Sequence, residues 1–296
     1  MNREKLEIMK SGKGFIAALD QSGGSTPKAL KLYGIGEEAY KNDEEMFKLV
    51  HEMRSRIITD PAFTSDRILG AILFKVTMNS KIGELYTPDY LWNKKGIVPI
   101  LKVDEGLAEE KDGVKLMKPM KAFESLLDEA SKRNIFATKM RNVIYSLNPS
   151  GIKEAVSQQF ELAKRISKAG FVPIIEPEVD INSEKKSEIE DLLLEEVIQQ
   201  MKSLNESEKV MFKFTLPDKK DLFSPLCEYS QTVRIVALSG GYTRERANEL
   251  LKKNRDMIAS FSRALTEGLN INQTDEEFTK QLDSSIQSIY DASVKN

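Results

Sequence analysis

The chain has 296 residues, with 44 Lys+Arg against 46 Asp+Glu, one His and one Cys. The last two counts exclude a zinc or copper centre, an internal disulfide, and any catalytic triad or Cys-His dyad not built on His51 and Cys227, so an enzyme of this composition rests its chemistry on Lys, Glu, Asp and Arg. A net charge of -2 with 40% hydrophobic and 30% charged residues describes a globular chain and argues against a nucleic-acid binder.

No run approaches the roughly 20 apolar residues of a membrane span. The N-terminus lacks the apolar core of a signal peptide, and the expected address is the cytoplasm. In chain order, an N-terminal amphipathic stretch leads to short apolar runs rich in Val, Ile and Phe. They predict strands at Gly14–Asp20, Arg67–Lys75, Ile97–Asp104, Ile135–Arg141, Phe171–Val179, Lys209–Leu216, Arg234–Gly240 and Met257–Arg263. Helical patterns lie between them. Glu37–Thr59 carries Met46, Leu49, Val50, Met53 and Ile57 on one stripe, and Ile152–Ala169 follows Pro149-Ser150-Gly151. Ser183–Leu204 is rich in Glu, Leu and Lys; Thr243 and Thr274 are placed to cap helices running to about Asn254 and Ala292. Only a short helical signal, near Asp89–Asn93, joins the second and third strands. Eight strand-plus-helix units predict an α/β fold, a (β/α)₈ TIM barrel. The expected organisation is a single domain over 1–296, with an N-terminal helix and a C-terminal helical tail. A doubly wound sheet competes, but no GxGxxG follows the first strand.

Charges sit inside these apolar strands. Successive strand side chains face opposite ways, so Glu176 and Glu178 share a face, as do Lys139 with Arg141 and Lys102 with Asp104. Lys213 stands between Phe212 and Phe214, which would face the outer helices. Asp20, Ser239 and Arg263 end the first, seventh and eighth strands. Strand ends are polar in many proteins, yet burying several unpaired charges is costly. In a barrel these would converge at the C-terminal mouth, where active sites of this fold occur.

A metal-free site centred on lysine suggests a Schiff base with a carbonyl substrate. The amine must be neutral to attack, and clustered cations and desolvation favour that form of such a group. A carboxyl group must then move protons, for which Glu176 and Glu178 are candidates. Spacing alone leaves open which lysine is the nucleophile. Leu238-Ser239-Gly240-Gly241 and Ser262-Arg263 follow the seventh and eighth strands, where barrels of this kind often hold phosphate. Gln21-Ser22-Gly23-Gly24-Ser25-Thr26-Pro27-Lys28 is a second anion cradle. Two such sites flanking a lysine suggest a bisphosphorylated keto-sugar.

The segments Ala17-Ala18-Leu19-Asp20, Leu101-Lys102-Val103-Asp104, Thr138-Lys139-Met140-Arg141 and Ile175-Glu176-Pro177-Glu178 resemble the class I fructose-bisphosphate aldolase family. So do Phe212-Lys213-Phe214, Leu238-Ser239-Gly240-Gly241 and Phe261-Ser262-Arg263-Ala264. They occur in the family's order, and the pattern looks like its short bacterial branch. The resemblance implies reversible cleavage of fructose 1,6-bisphosphate to dihydroxyacetone phosphate and glyceraldehyde 3-phosphate, in glycolysis or gluconeogenesis. It makes Lys213 the Schiff-base lysine, Glu176 the principal acid/base and Glu178 the second carboxylate. By the same resemblance Lys139 stabilises developing charge, and Asp20 orients the hydroxyl where the carbon chain breaks. Lys102 and Arg141 contact substrate; Ser239, Gly240, Gly241 and Arg263 hold the phosphate of the dihydroxyacetone half; Ser25 and Lys28 hold the other.

The implied partner is a phosphorylated sugar, with no cofactor, metal, nucleic acid or membrane. A carboxylate-bound Mg²⁺ is disfavoured, because Asp20, Asp104 and the glutamate pair each have a cation nearby in sequence or on a neighbouring strand. The outer helix faces do not tell solvent from subunit contacts, so a homo-oligomer is left open. Relative to the animal pattern, Gln21 replaces a glutamate and Ala29 an arginine. The chain ends Val294-Lys295-Asn296 without the terminal tyrosine, and Tyr290 is not in that position. These departures bear on the choice between bisphosphate and monophosphate sugars. His51 reads as a surface or helix-packing residue, Cys227 as a part-buried structural thiol, Glu184-Lys185-Lys186-Ser187-Glu188 as a solvated helix face, and Trp92 as a packing anchor. The competing functions are another Schiff-base barrel enzyme, transaldolase-like, and a non-catalytic protein-binding barrel.

Overall fold

Each apolar run forms a strand of one parallel sheet in the computed structural model, which describes residues 2–294. The barrel strands are β1 (Phe15–Leu19), β2 (Ile68–Leu73), β3 (Val98–Lys102), β4 (Ala137–Ile144), β5 (Val172–Val179), β6 (Val210–Thr215), β7 (Thr232–Leu238) and β8 (Met257–Ala259). They follow chain order around the sheet, every neighbour parallel. The seam between β8 and β1 is closed by Ala18 N–H donating to Phe261 O at 3.1 Å. The result is a nearly closed (β/α)₈ barrel.

Such strands are covered on both faces, which is why their sequences are almost wholly apolar. Ile16, Ile100, Ile174, Met211 and Val236 pack inside the barrel, while Phe160, Ile175, Ile189, Phe212 and Phe214 pack between sheet and helices. Helix Arg3–Ser11 places Met9 against the inner layer, and Arg234 on β7 donates to Met9 O and Gly12 O at 2.8 and 3.0 Å. The N-terminal helix thereby plugs the bottom of the barrel and leaves the opposite mouth open.

The predicted caps are present. Thr243 accepts from Arg246 N–H at the start of Arg244–Lys252, and Thr274 with Glu277 forms a capping box on Asp275–Ser293. The long helices run Asp43–Thr59, Pro149–Lys168 and Lys186–Met201. Between β2 and β3 lie helix Lys75–Asn79, a hairpin of Lys81–Ile82 with Leu85–Tyr86, helix Thr87–Tyr90 and a π-turn, Leu91–Lys95, ended by left-handed Gly96.

Several expectations need correction. Strand β8 is only three residues long, so Arg263 opens helix Arg263–Thr266 rather than ending the strand. Strand β4 runs on to Ile144 because Val114–Lys115 pairs antiparallel with its end. Lys186 does not lie on a solvated face. It is buried, donating to Glu190 Oε1 (2.5 Å), Asp218 Oδ1 (2.8 Å) and Leu216 O (2.9 Å). Cys227 is exposed. His51 packs as read, its Nε2 lying 3.0 Å from Lys81 O, and Trp92 takes Lys5 Nζ over its ring at 4.6 Å. Tyr290 packs against the outer core layer. Lys295 and Asn296 lie outside the described residues. No described helix is long and apolar enough to cross a membrane.

Candidate active site

Strand alternation decides which side chains enter the mouth. Ala18, Ile100, Ala137, Ile174 and Met211 belong to the inner layer. Two residues beyond each stand Asp20, Lys102, Lys139, Glu176 and Lys213, which therefore share that inner face. Phe212 and Phe214 point outward, stacked 5.4 Å apart.

All five charges are buried, with Glu176 only 2% exposed, Lys139 3% and Lys213 4%. Ions so placed are tolerated only when paired, and these are. Glu176 sits between two lysines: its Oε1 is 3.1 Å from Lys213 Nζ and its Oε2 2.9 Å from Lys139 Nζ. Lys139 Nζ also lies 2.6 Å from Asp20 Oδ2. Lys102 Nζ donates to Asp104 Oδ1 at 2.5 Å and to Asp104 O at 3.0 Å. Nearer the rim, Arg141 donates to Glu178 Oε2 at 2.8 Å, and its backbone N–H to Asp104 Oδ2 at 3.2 Å.

These pairings set the charge states. Burial would raise the Asp20 pKa, but Lys139, Lys213 and Lys102 outweigh it and hold the carboxyl well below the usual range. Burial opposes the charge on Lys139 too; Asp20 and Glu176 overcome it and hold the ammonium above its ordinary pKa. For Lys102 burial wins over the attraction of Asp104, and the pKa falls. The mouth thus holds a permanently charged Asp20–Lys139 pair beside the Glu176–Lys213 contact.

The turn after β7 needs its glycines. Gly240 has φ +59° and Gly241 φ +121°, in the left-handed region that other residues avoid. A Cβ on Gly240 would lie 2.7 Å from Ile181 Cγ2, and one on Gly241 would lie 3.4 Å from Arg263 Nη2. The guanidinium therefore packs over an exposed stretch of backbone. Across the mouth, Ser25 Oγ accepts from Ser22 N–H (3.0 Å) and donates to Ser22 O (2.9 Å), shaping the turn that precedes Lys28.

One cavity of about 980 Å³ collects these groups. Every candidate lines it: Asp20, Ser25, Lys28, Lys102, Lys139, Arg141, Glu176, Glu178, Lys213, Ser239, Gly240, Gly241 and Arg263. Among the described residues no three His, Cys, Asp or Glu side chains are grouped to hold a metal ion.

Other residues escaped the sequence reading. Gln159, buried on helix Pro149–Lys168, accepts from Glu176 N–H at 2.8 Å and donates to Asn142 Oδ1 at 2.8 Å. Thr215 Oγ1 accepts from Val179 N–H (2.9 Å) and donates to Val179 O (2.7 Å), tying β6 to β5 beyond the two catalytic candidates. Arg54 donates to Gln21 O at 2.5 Å and to Thr77 Oγ1 at 2.6 Å, and Gln21 Nε2 donates to Ser262 Oγ at 2.7 Å. Only unpaired polarity within apolar patterns could have signalled these, and each looks like an ordinary helix or strand-end residue. Lys75, just past β2, also lines the cavity.

Fold and site together define the class: a (β/α)₈ barrel with a lysine–carboxylate centre at its C-terminal mouth. The model of the fructose-bisphosphate aldolase class-I family matches residues 2–225, and the chain belongs to that family. In fold it is similar to fructose-bisphosphate aldolase from Plasmodium falciparum, solved in complex with TRAP and a small-molecule inhibitor. The TM-score is 0.73 at 18% identity, over 99% of this chain and 94% of that one. It is also similar to Cgl0159 from Corynebacterium glutamicum, with TM-score 0.57 at 12% identity, over 97% of this chain and 92% of that one.

Proposed function

We propose that this aldolase cleaves fructose 1,6-bisphosphate reversibly through a Schiff base on Lys213, with Glu176 as its acid/base. The carrying observation is the 3.1 Å approach of Glu176 Oε1 to Lys213 Nζ, with Lys139 held on the other carboxylate oxygen at 2.9 Å.

Lys213 passes a proton to Glu176 across their 3.1 Å contact, and the amine so freed adds to the C2 carbonyl. Glu176 supplies the proton that lets the carbinolamine lose water, leaving an iminium that serves as electron sink. Glu176 then takes the C4 hydroxyl proton, the C3–C4 bond breaks and glyceraldehyde 3-phosphate departs. The enamine is protonated at C3 and hydrolysed, which releases dihydroxyacetone phosphate and frees Lys213. Lys139, kept protonated by Asp20 and Glu176, offers a fixed positive charge to oxygens that become negative. Asp20 orients the C4 hydroxyl, and Glu178 is the second carboxylate, held by Arg141. Lys102 and Arg141 contact the sugar. Ser239, Gly240, Gly241 and Arg263 take the phosphate next to C2; Ser25 and Lys28 face the other. Because the iminium is the electron sink, no metal is needed. The reading carries with it one barrel domain, a cytoplasmic address, and a phosphorylated sugar as partner without nucleic acid or membrane.

Incubation with dihydroxyacetone phosphate, borohydride reduction and peptide mass mapping test it. The expected adduct is on Lys213, absent in Lys213→Met, with wild-type cleavage continuing in EDTA. Absence of an adduct on Lys213, or loss of cleavage in EDTA, overturns the assignment.

A further inference from the structure

Most cations in the mouth are held by its own carboxylates. Lys139 and Lys213 pair with Glu176, Lys102 with Asp104 and Arg141 with Glu178. Three lining cations, Lys28, Lys75 and Arg263, have no ion pair among the described residues. They are what the cavity offers to anionic groups on a ligand. Arg263 lies over the Gly240-Gly241 turn after β7. Lys28 and Lys75 follow β1 and β2, adjacent strands in which Leu19 stands level with Leu73. In the ring order, β2 is on the far side of the mouth from β6, which carries Lys213.

A ketose joined to Lys213 at C2 extends away from that strand, so a phosphate at its other end arrives on the β1–β2 side. Lys75 is exposed there and lines the cavity with Phe74, beside it in sequence, and Phe47, whose ring centroid lies 6.1 Å from that of Phe74.

We propose that Lys75 is the second cation, beside Lys28, for the phosphate on the aldehyde half of the substrate, and so sets the preference for bisphosphate over monophosphate ketoses. The proposal rests on the aldolase reading above. Glu105, on the loop after β3, is the lining carboxylate with no ion pair among the described residues.

Cleavage of fructose 1,6-bisphosphate and fructose 1-phosphate by wild type, Lys75→Met and Lys75→Arg tests this. Lys75→Met is expected to lose about tenfold more kcat/KM on the bisphosphate than on the monophosphate, chiefly through KM, the scale of one charged hydrogen bond. Lys75→Arg restores most of the difference. Lys75→Met must still trap dihydroxyacetone phosphate on Lys213, since that half lacks the distal phosphate. Equal losses on the two sugars, no loss on the bisphosphate, or loss of trapping would each overturn the role of Lys75. A wild-type chain that cleaves neither sugar and gives no Lys213 adduct overturns the aldolase reading, and this role with it.

Discussion

Arg54 has no exposed surface, yet no carboxylate lies within ion-pair distance of it among the described residues, and its Nε has no hydrogen-bond partner. Burial pulls its pKa down to about 10, against the attraction of Asp20, so it keeps its charge at neutral pH. Its other donors serve Gln21 O, Gln21 Oε1 and Thr77 Oγ1. Gln21 in turn reaches Ser262, one residue before Arg263. The charge therefore braces the exit of β1 against the exit of β8, at the seam where strand pairing is weakest. A buried ion is often neutral in stability when replaced by a hydrophobe of similar volume, but costly when it loses a partner. Two variants separate these effects. Arg54→Met is expected to change the unfolding free energy by less than about 2 kcal/mol while lowering kcat/KM. Thr77→Val, which keeps the charge and removes an acceptor, is expected to cost roughly 1–3 kcal/mol in urea denaturation. The sequence hid this residue because Arg54 falls i+4 from Val50 and beside Met53 on the core stripe. Nothing in the spacing distinguishes it from Arg56, which pairs with Asp275 at 3.1 Å near the surface.

Strands β5 and β6 carry the proposed chemistry, but their regular pairing covers only Ile174 with Met211 and Ile175 with Phe212. Glu176 and Lys213 stand just past it, where the strands diverge. Thr215 rejoins them by exchanging two hydrogen bonds with Val179. Thr215→Val is nearly isosteric and leaves the Val179 N–H without its acceptor, an expected cost of about 1–3 kcal/mol. The Glu176–Lys213 distance then loosens, so kcat should fall with KM little changed, and Thr215→Ser should recover both. Steady-state kinetics alongside thermal unfolding separate the two effects. Period-two alternation made this much legible from sequence: it placed Lys102, Lys139, Glu176 and Lys213 on one inner face, and the structure has them there. It did not place Arg263, because three residues of β8 are too few to carry a period before helix Arg263–Thr266 begins. The connection after β3 was equally opaque. Its two-residue strand, Val114–Lys115, exists only by pairing with distant β4. Thr215 and Gln159 were missed for a related reason: their importance lies in partners 36 and 17 residues away.

At the scale of the molecule, the eight-unit architecture was readable because each strand is buried on both faces and each long helix has a cap or an apolar stripe. The energetics of the mouth were not, since they depend on which charges meet across strands. That network ties stability to pH with a sign that can be worked out. The folded-state pKa of Asp20 lies below its unfolded value of about 3.9. Its contribution is then fully present above that value and is lost progressively as pH falls through the folded pKa. The Lys139 pKa is raised above an unfolded value of about 10.4, so its contribution is complete below that value and lost only in strong alkali. Between these limits the pair is fully ionised in both states, and its stabilisation is flat. Asp20→Asn removes the acid-sensitive part and leaves Lys139 facing Glu176 alone. Urea unfolding of both proteins should therefore show wild type more stable by a constant margin from about pH 5 to pH 9, shrinking steadily below about pH 4 as the unfolded Asp20 takes up its proton. A margin that widened toward acid would mean that burial, rather than Lys139, governs Asp20 and that its carboxyl is protonated in the folded protein. In that case Asp20 could not hold Lys139 charged for the cleavage step, and kcat in Asp20→Asn would stay near the wild-type value instead of falling.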